Sequence, residues 1–130
     1  MSWQGFIDSL MGNPEIAAAA ICGTEGRVWA ATDMFTGITS DQIKAVCGEP
    51  GDGSTVTLAG VKAMVITNEA SNKIKLMTLV TMKNTMINES SPLVIGFSTK
   101  ALVIGLGKPG YRSVGISVEN MTSHLKKCDL

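Results

Sequence analysis

Residues 101–110 read ALVIGLGKPG, and two folds compete for them. Ala101 to Ile104 is a short apolar run of strand type, and Gly105-Leu-Gly107-Lys-Pro-Gly110 is a literal G-x-G-x-x-G. In a dinucleotide-binding unit such a loop leads into a helix that returns to a second parallel strand. An acidic residue about 20 positions on then holds the ribose. Here 20 residues follow Gly110, their period is helical, and they contain no strand pattern. Pro109 also lacks the backbone N–H that could cradle a phosphate. The stretch therefore reads as the last strand of an antiparallel sheet, Ala101 to Leu106, with the glycine motif running out into a loop, then a helix. A nucleotide-dependent enzyme is the weakest functional reading.

The residues after this loop support it. Val114, Val118, Met121 and Leu125 recur at i, i+4, i+7 and i+11, with Lys126 and Lys127 in the last turn, where cations suit the helix dipole. Before it, Thr55–Leu58 alternates, Val61–Thr67 is apolar and β-branched, and Ile74–Met82 and Leu93–Ser98 continue the series. The stretches Asn68–Asn72, Asn88–Pro92 and Ser98–Lys100 carry turn chemistry. Ile16–Cys22 holds four alanines, but its seven residues lie between turn signals, which favours a buried strand paired with Arg27–Ala31. Thr39-Ser-Asp-Gln42 is a capping box for a short helix through Cys47. Trp3, Phe6, Ile7, Leu10 and Met11 form the stripe of a half-buried helix over residues 2–12, capped by Ser2 and ended by Gly12. This order predicts one α+β domain over residues 1–130 with a central antiparallel sheet.

Composition narrows the function. The 130 residues are 45% apolar and 17% charged, and eleven basic residues balance eleven acidic ones. A neutral chain lacks the field a general nucleic-acid binder needs, so no nucleic-acid partner is expected. Cys22, Cys47 and Cys128 are odd in number, widely spaced and without a CxxC, which suits reduced thiols in the cytoplasm. No basic n-region precedes an apolar run, and no apolar stretch approaches the ~18 residues of a membrane span. His124 is the one histidine, no nucleophile stands in a recognisable setting, and no cluster has metal-ligand spacing. No enzyme, metal or cofactor is expected.

The aromatics carry the remaining signal. The chain has only six, and Trp3 and Phe6 occupy the first turns of a terminal helix, where fraying is easy. Burial in the core accounts for such a stripe. So does a ligand with flat apolar faces.

The fragments "MSWQ", Phe6-Ile7-Asp8, "AAAIC", "VWAAT", "ITSDQI", "LAGVKAMVI", "ALVIGLGKPG" and "MTSHLKK" occur in this order across nearly the whole chain. Together they resemble the profilin family, with the ending and the GKPG loop closest to its animal members. The resemblance implies a mostly monomeric, cytoplasmic, cytoskeleton-associated protein that binds actin monomers and proline-rich proteins and has no enzymatic activity. Its fold would place the N- and C-terminal helices side by side on one sheet face and short helical segments on the other. The poly-proline groove would comprise Trp3, Phe6, Trp29, His124, Leu125 and Leu130, with Phe6 and Leu130 in places often held by Tyr. The actin side would use Lys62, Val65, Lys108, Tyr111 and Arg112, with Gly107 beside them. Thr67 and Val80 fall where animal members often carry Arg. Lys62, Arg112, Lys126 and Lys127 would meet phosphoinositides. A scaffold or adaptor domain that does not touch actin is the alternative from another class.

Overall fold

The structure, a computed structural model, describes residues 3–48, 51, 53–71, 74–81, 90–108 and 113–128, with backbone alone at 67–71, 74–75 and 113. The elements in chain order are α1 (Trp3–Met11), β1 (Ile16–Gly23), β2 (Val28–Ala31), a 3-10 turn (Asp33–Phe35) and α2 (Ser40–Cys47). Then come β3 (Thr55–Leu58), β4 (Val61–Ser71), β5 (Ile74–Thr81), β6 (Pro92–Phe97), β7 (Ala101–Gly107) and α3 (Ser113–Lys127). The strands form one antiparallel sheet in the order β2-β1-β7-β6-β5-β4-β3.

Strand alternation sends side chains to two cores. On one face Ala18, Ala20 and Cys22 of β1, Leu102 and Ile104 of β7, and Met77 and Leu79 of β5 pack with Phe35, Ile43 and Val46. On the other, Ala19, Ile21, Val103 and Val94 meet Phe6, Ile7 and Leu10 of α1 and Val114, Val118 and Leu125 of α3. Both terminal helices thus cover one face, while the 3-10 turn and α2 cover the other. Each fully buried Ile or Leu here contributes about 1.5–3 kcal/mol. The alanines of β1 are what let both layers approach that strand closely.

Local chemistry sets the other-face helix. Thr39 Oγ1 accepts from the Gln42 N–H at 3.2 Å and Gln42 Oε1 accepts from the Thr39 N–H at 3.1 Å, a closed capping box. The same Gln42 oxygen accepts the Ala59 N–H at 3.0 Å, tying α2 to the β3–β4 turn, where Ala59 sits at φ 51°. That left-handed residue costs about 1 kcal/mol, and the bond helps hold it.

Two expectations are corrected. The first half of the glycine motif is not loop: β7 runs to Gly107, one residue past the expected strand, pairing with β1 and β6. Its glycines answer to packing rather than to a ligand. A Cβ on Gly105 would lie 2.6 Å from Val118 Cγ2 and 3.0 Å from Val114 Cγ2, so α3 presses directly on this backbone. Residues 68–71 are not a turn either. β4 continues to Ser71, with Glu69 opposite Leu76 and Ser71 opposite Ile74, so cross-strand pairing overrides the turn-prone residue types. Ser2, Pro109 and Gly110 lie outside the described residues.

Candidate functional site

The helical spacing of α1 stacks Trp3 over Phe6, ring centroids 5.5 Å apart at 48°. β2 lies beside β1 at the sheet edge and delivers Trp29 to the same place, 4.5 Å from Trp3 at 34°. From the last turns of α3, His124 reaches Phe6 at 5.8 Å and 57°. The result is a strip, Trp29–Trp3–Phe6–His124, built from three elements. The tryptophans are half-buried, His124 is exposed, and Phe6 is mostly covered at 8% exposure. Trp29 is fixed further: its Nε1–H donates to Glu25 Oε1 at 3.1 Å, and its ring lies against Gly23, where a Cβ would come within 2.6 Å of Cζ2.

Leu125 does not line this strip. It is 0% exposed, within the core under the terminal helices, so it supports the rings from below. Leu130 lies outside the described residues. Beside the strip, α1 and α3 leave an open groove of about 580 Å³ lined by Phe6, Ser9, Leu10, Ser117, Met121 and His124. Its wall is tied by Asn13 Nδ2–H donating to Ser117 Oγ at 3.1 Å.

A second surface lies on the helix-bearing side of the sheet, over the strands that α1 and α3 leave uncovered. Val65 is not part of it. Alternation turns Val61, Ala63 and Val65 into the opposite core, where Val65 is 1% exposed, and turns Lys62 outward with Met64 (41%) and Ile66 (48%). The register aligns Thr55, Met64, Val80 and Pro92 in one row across β3 to β6. An open cavity of about 620 Å³ follows this row to the start of α3, with Ile66, Val80, Pro92, Val94 and Val114 among its walls. Ile116, in the second turn of α3, is 64% exposed. Lys108 is exposed just beyond β7, where its N–H donates to the Glu15 carbonyl at 2.8 Å. Tyr111 and Arg112 lie outside the described residues, and the side chain of Thr67 is not described. Lys126 and Lys127 are exposed in the last turn of α3, on a different element from Lys62.

Sequence reasoning missed Glu25, Met64, Ile66 and Pro92. Counting by twos from Val61 finds Met64 and flags Val65 as inward. Nothing in the sequence marks Glu25, because its meaning depends on the hairpin turn that brings it to Trp29. Among the described residues no group of His, Cys, Asp or Glu could hold a metal, and no helix is long and apolar enough to cross a membrane. Burial, and next the neighbouring Cys47, push the Cys22 thiol from its ordinary 9.0 up to about 12, so this thiol stays protonated and inert.

This strip, carried by two terminal helices over an antiparallel sheet, defines a small binding domain. The chain belongs to the profilin family, whose model matches residues 1–130. Human profilin II is similar at 28% identity and TM-score 0.80, over 98% of both chains. Mouse profilin IIa, solved in complex with a double repeat from the FH1 domain of mDia1, is 25% identical at TM-score 0.88 over 100% of both chains. LokiProfilin2, solved with rabbit actin, shares the fold at 20% identity and TM-score 0.66 over 98% of both chains.

Proposed function

We propose that this profilin binds actin monomers, regulates their polymerisation and docks on proline-rich proteins, without catalysing a reaction. The observation that carries the proline-rich part is the aromatic strip. A polyproline II helix has three residues per turn and no internal hydrogen bonds, and its rings pack on flat faces. It is already extended, so docking orders little, and its carbonyls need donors. Trp3, Phe6 and Trp29 offer the faces, and His124 and the Trp3 indole offer N–H groups. Phe6 in place of a Tyr keeps the face and drops one donor, a loss of about 0.5–1.5 kcal/mol that weakens binding without abolishing it.

The actin reading rests on family membership and on the open sheet face. Lys62, Met64, Ile66, Val80 and Pro92 with the start of α3 form a mixed apolar and basic surface, and Lys108, Tyr111 and Arg112 are proposed as further actin contacts on the family resemblance of their positions. Exposed apolar residues at this density mark a protein interface. Lys62, Arg112, Lys126 and Lys127 are the residues proposed for phosphoinositides, with a weak affinity expected of a neutral chain. The working place is the cytoplasm, at the actin cytoskeleton.

Calorimetric titration with an uncharged proline decamer, together with actin pull-down, tests both halves. Binding of each is expected; no heat with the peptide sinks the proline-rich reading, and no retained actin sinks the other.

A further inference from the structure

The Glu25–Trp29 hydrogen bond has two consequences for the ligand. First, it spends the Trp29 N–H inside the protein: at 3.1 Å from Glu25 Oε1 that donor is not available to a ligand carbonyl. Trp29 then contributes a face only, and that face is held from beneath by Gly23 and from the side by the carboxylate. Second, Glu25 is exposed, and among the described residues no cation is paired with it. Arg27 is exposed in the same turn. One end of the aromatic strip thus carries an exposed carboxylate in direct contact with an indole.

An aromatic face next to a carboxylate is a place for a cation. The ring quadrupole attracts it and the second carboxylate oxygen can accept its N–H. We infer that Glu25 positions Trp29 and makes this end of the strip select proline-rich segments that carry Lys or Arg beside the prolines. The inference rests on the proline-rich docking reading and names the class of ligand that reading leaves open. Polyproline itself presents no charge, so this preference is an addition to the flat-face recognition described above.

The test uses three peptides sharing one proline core, flanked by Lys, by nothing charged or by Glu, titrated at low salt into the intact protein, Glu25→Gln and Glu25→Ala. The native protein is expected to bind the Lys-flanked peptide about two- to five-fold more tightly than the uncharged one, and the Glu-flanked peptide more weakly by a similar factor. Glu25→Gln keeps an oxygen to accept the indole N–H but removes the charge, so it should lose the ranking, with the three peptides binding within about two-fold of one another. Glu25→Ala should lose the ranking and also bind the uncharged peptide about three- to ten-fold more weakly, with changed tryptophan emission. An unaltered ranking in Glu25→Gln, or three equal affinities in the native protein, overturns the inference while docking stands. Failure of even the uncharged peptide to bind the native protein removes the docking reading and this inference with it.

Discussion

Trp3→Ala asks whether the first helix presents its aromatics to a ligand or merely plugs the core. The ring touches Trp29 at 4.5 Å and Phe6 at 5.5 Å, so the substitution removes two aromatic pairs at once. At about 0.5–1.5 kcal/mol per pair, beyond the apolar area the ring buries, the two pairs account for roughly 1–3 kcal/mol. Trp3 is half-buried and stands in the first turn, which lowers the expected cost to about 1–2 kcal/mol, a fall in Tm of roughly 3–10 °C. Binding suffers more. Trp3 is the middle of the strip, and truncating a central aromatic anchor removes about 2 kcal/mol or more, near 30-fold in affinity. The open sheet face lies at the other end of α3: Val114 lines it, ten positions before His124, or about 15 Å along the helix. Actin retention should therefore persist. Tryptophan emission or calorimetry with a proline decamer reads the first effect, and actin pull-down the second. Less than three-fold weakening would mean that the strip is not the docking surface. Loss of both activities with a Tm collapse beyond 15 °C would mean that Trp3 is a core residue.

Other changes test other links. Gly105→Ala places a methyl 2.6 Å from Val118 Cγ2, on a β-branched side chain with few rotamers in a helix, and should cost about 1–3 kcal/mol in urea unfolding; a change within 0.5 kcal/mol would show that α3 can lift freely. Val80→Arg adds a cation to the exposed row beside Met64 and Pro92, and should raise the association rate with actin at low salt; an unchanged rate removes that row from the interface. Cys22 keeps its proton in the folded chain up to about 12, whereas the unfolded chain releases it from about 9.0. Its contribution is thus whole below pH 9 and falls as pH rises toward 12, so Cys22→Ala should show a smaller loss of Tm over that window than the native chain; identical slopes would refute it.

Much of the fold was legible because local signals agreed with one another. The capping box at Thr39 and Gln42 formed as written, and Thr55–Leu58 became β3 without a residue's difference. The misreadings share one cause, since each turned on pairing or packing with the next element rather than on the residue types of the stretch itself. Glu69 to Ser71 look like a turn until β5 supplies the partner, and Gly107 looks like a loop until α3 arrives on top of it. The site was legible as residue types. Trp3, Phe6, Trp29 and His124 do converge, but Leu125 and Val65 face inward, which is decided by the helix phase and strand alternation against a particular core.

The bare backbone under α3 has a consequence for how this protein can change. Gly96 lies beneath Thr122, Gly105 beneath Val118 and Val114, and Gly107 beneath Val114 and beside Pro92, so the helix rests in a trough cut across β6 and β7. The floor of that trough acts as a height gauge. Any side chain added there lifts the helix, and with it His124 relative to Phe6 at one end and Val114 relative to Pro92 at the other. Substitution on the outer surfaces can retune what each end prefers, one at a time. Substitution in the trough moves both ends together, so these three positions are where the two surfaces cannot evolve apart.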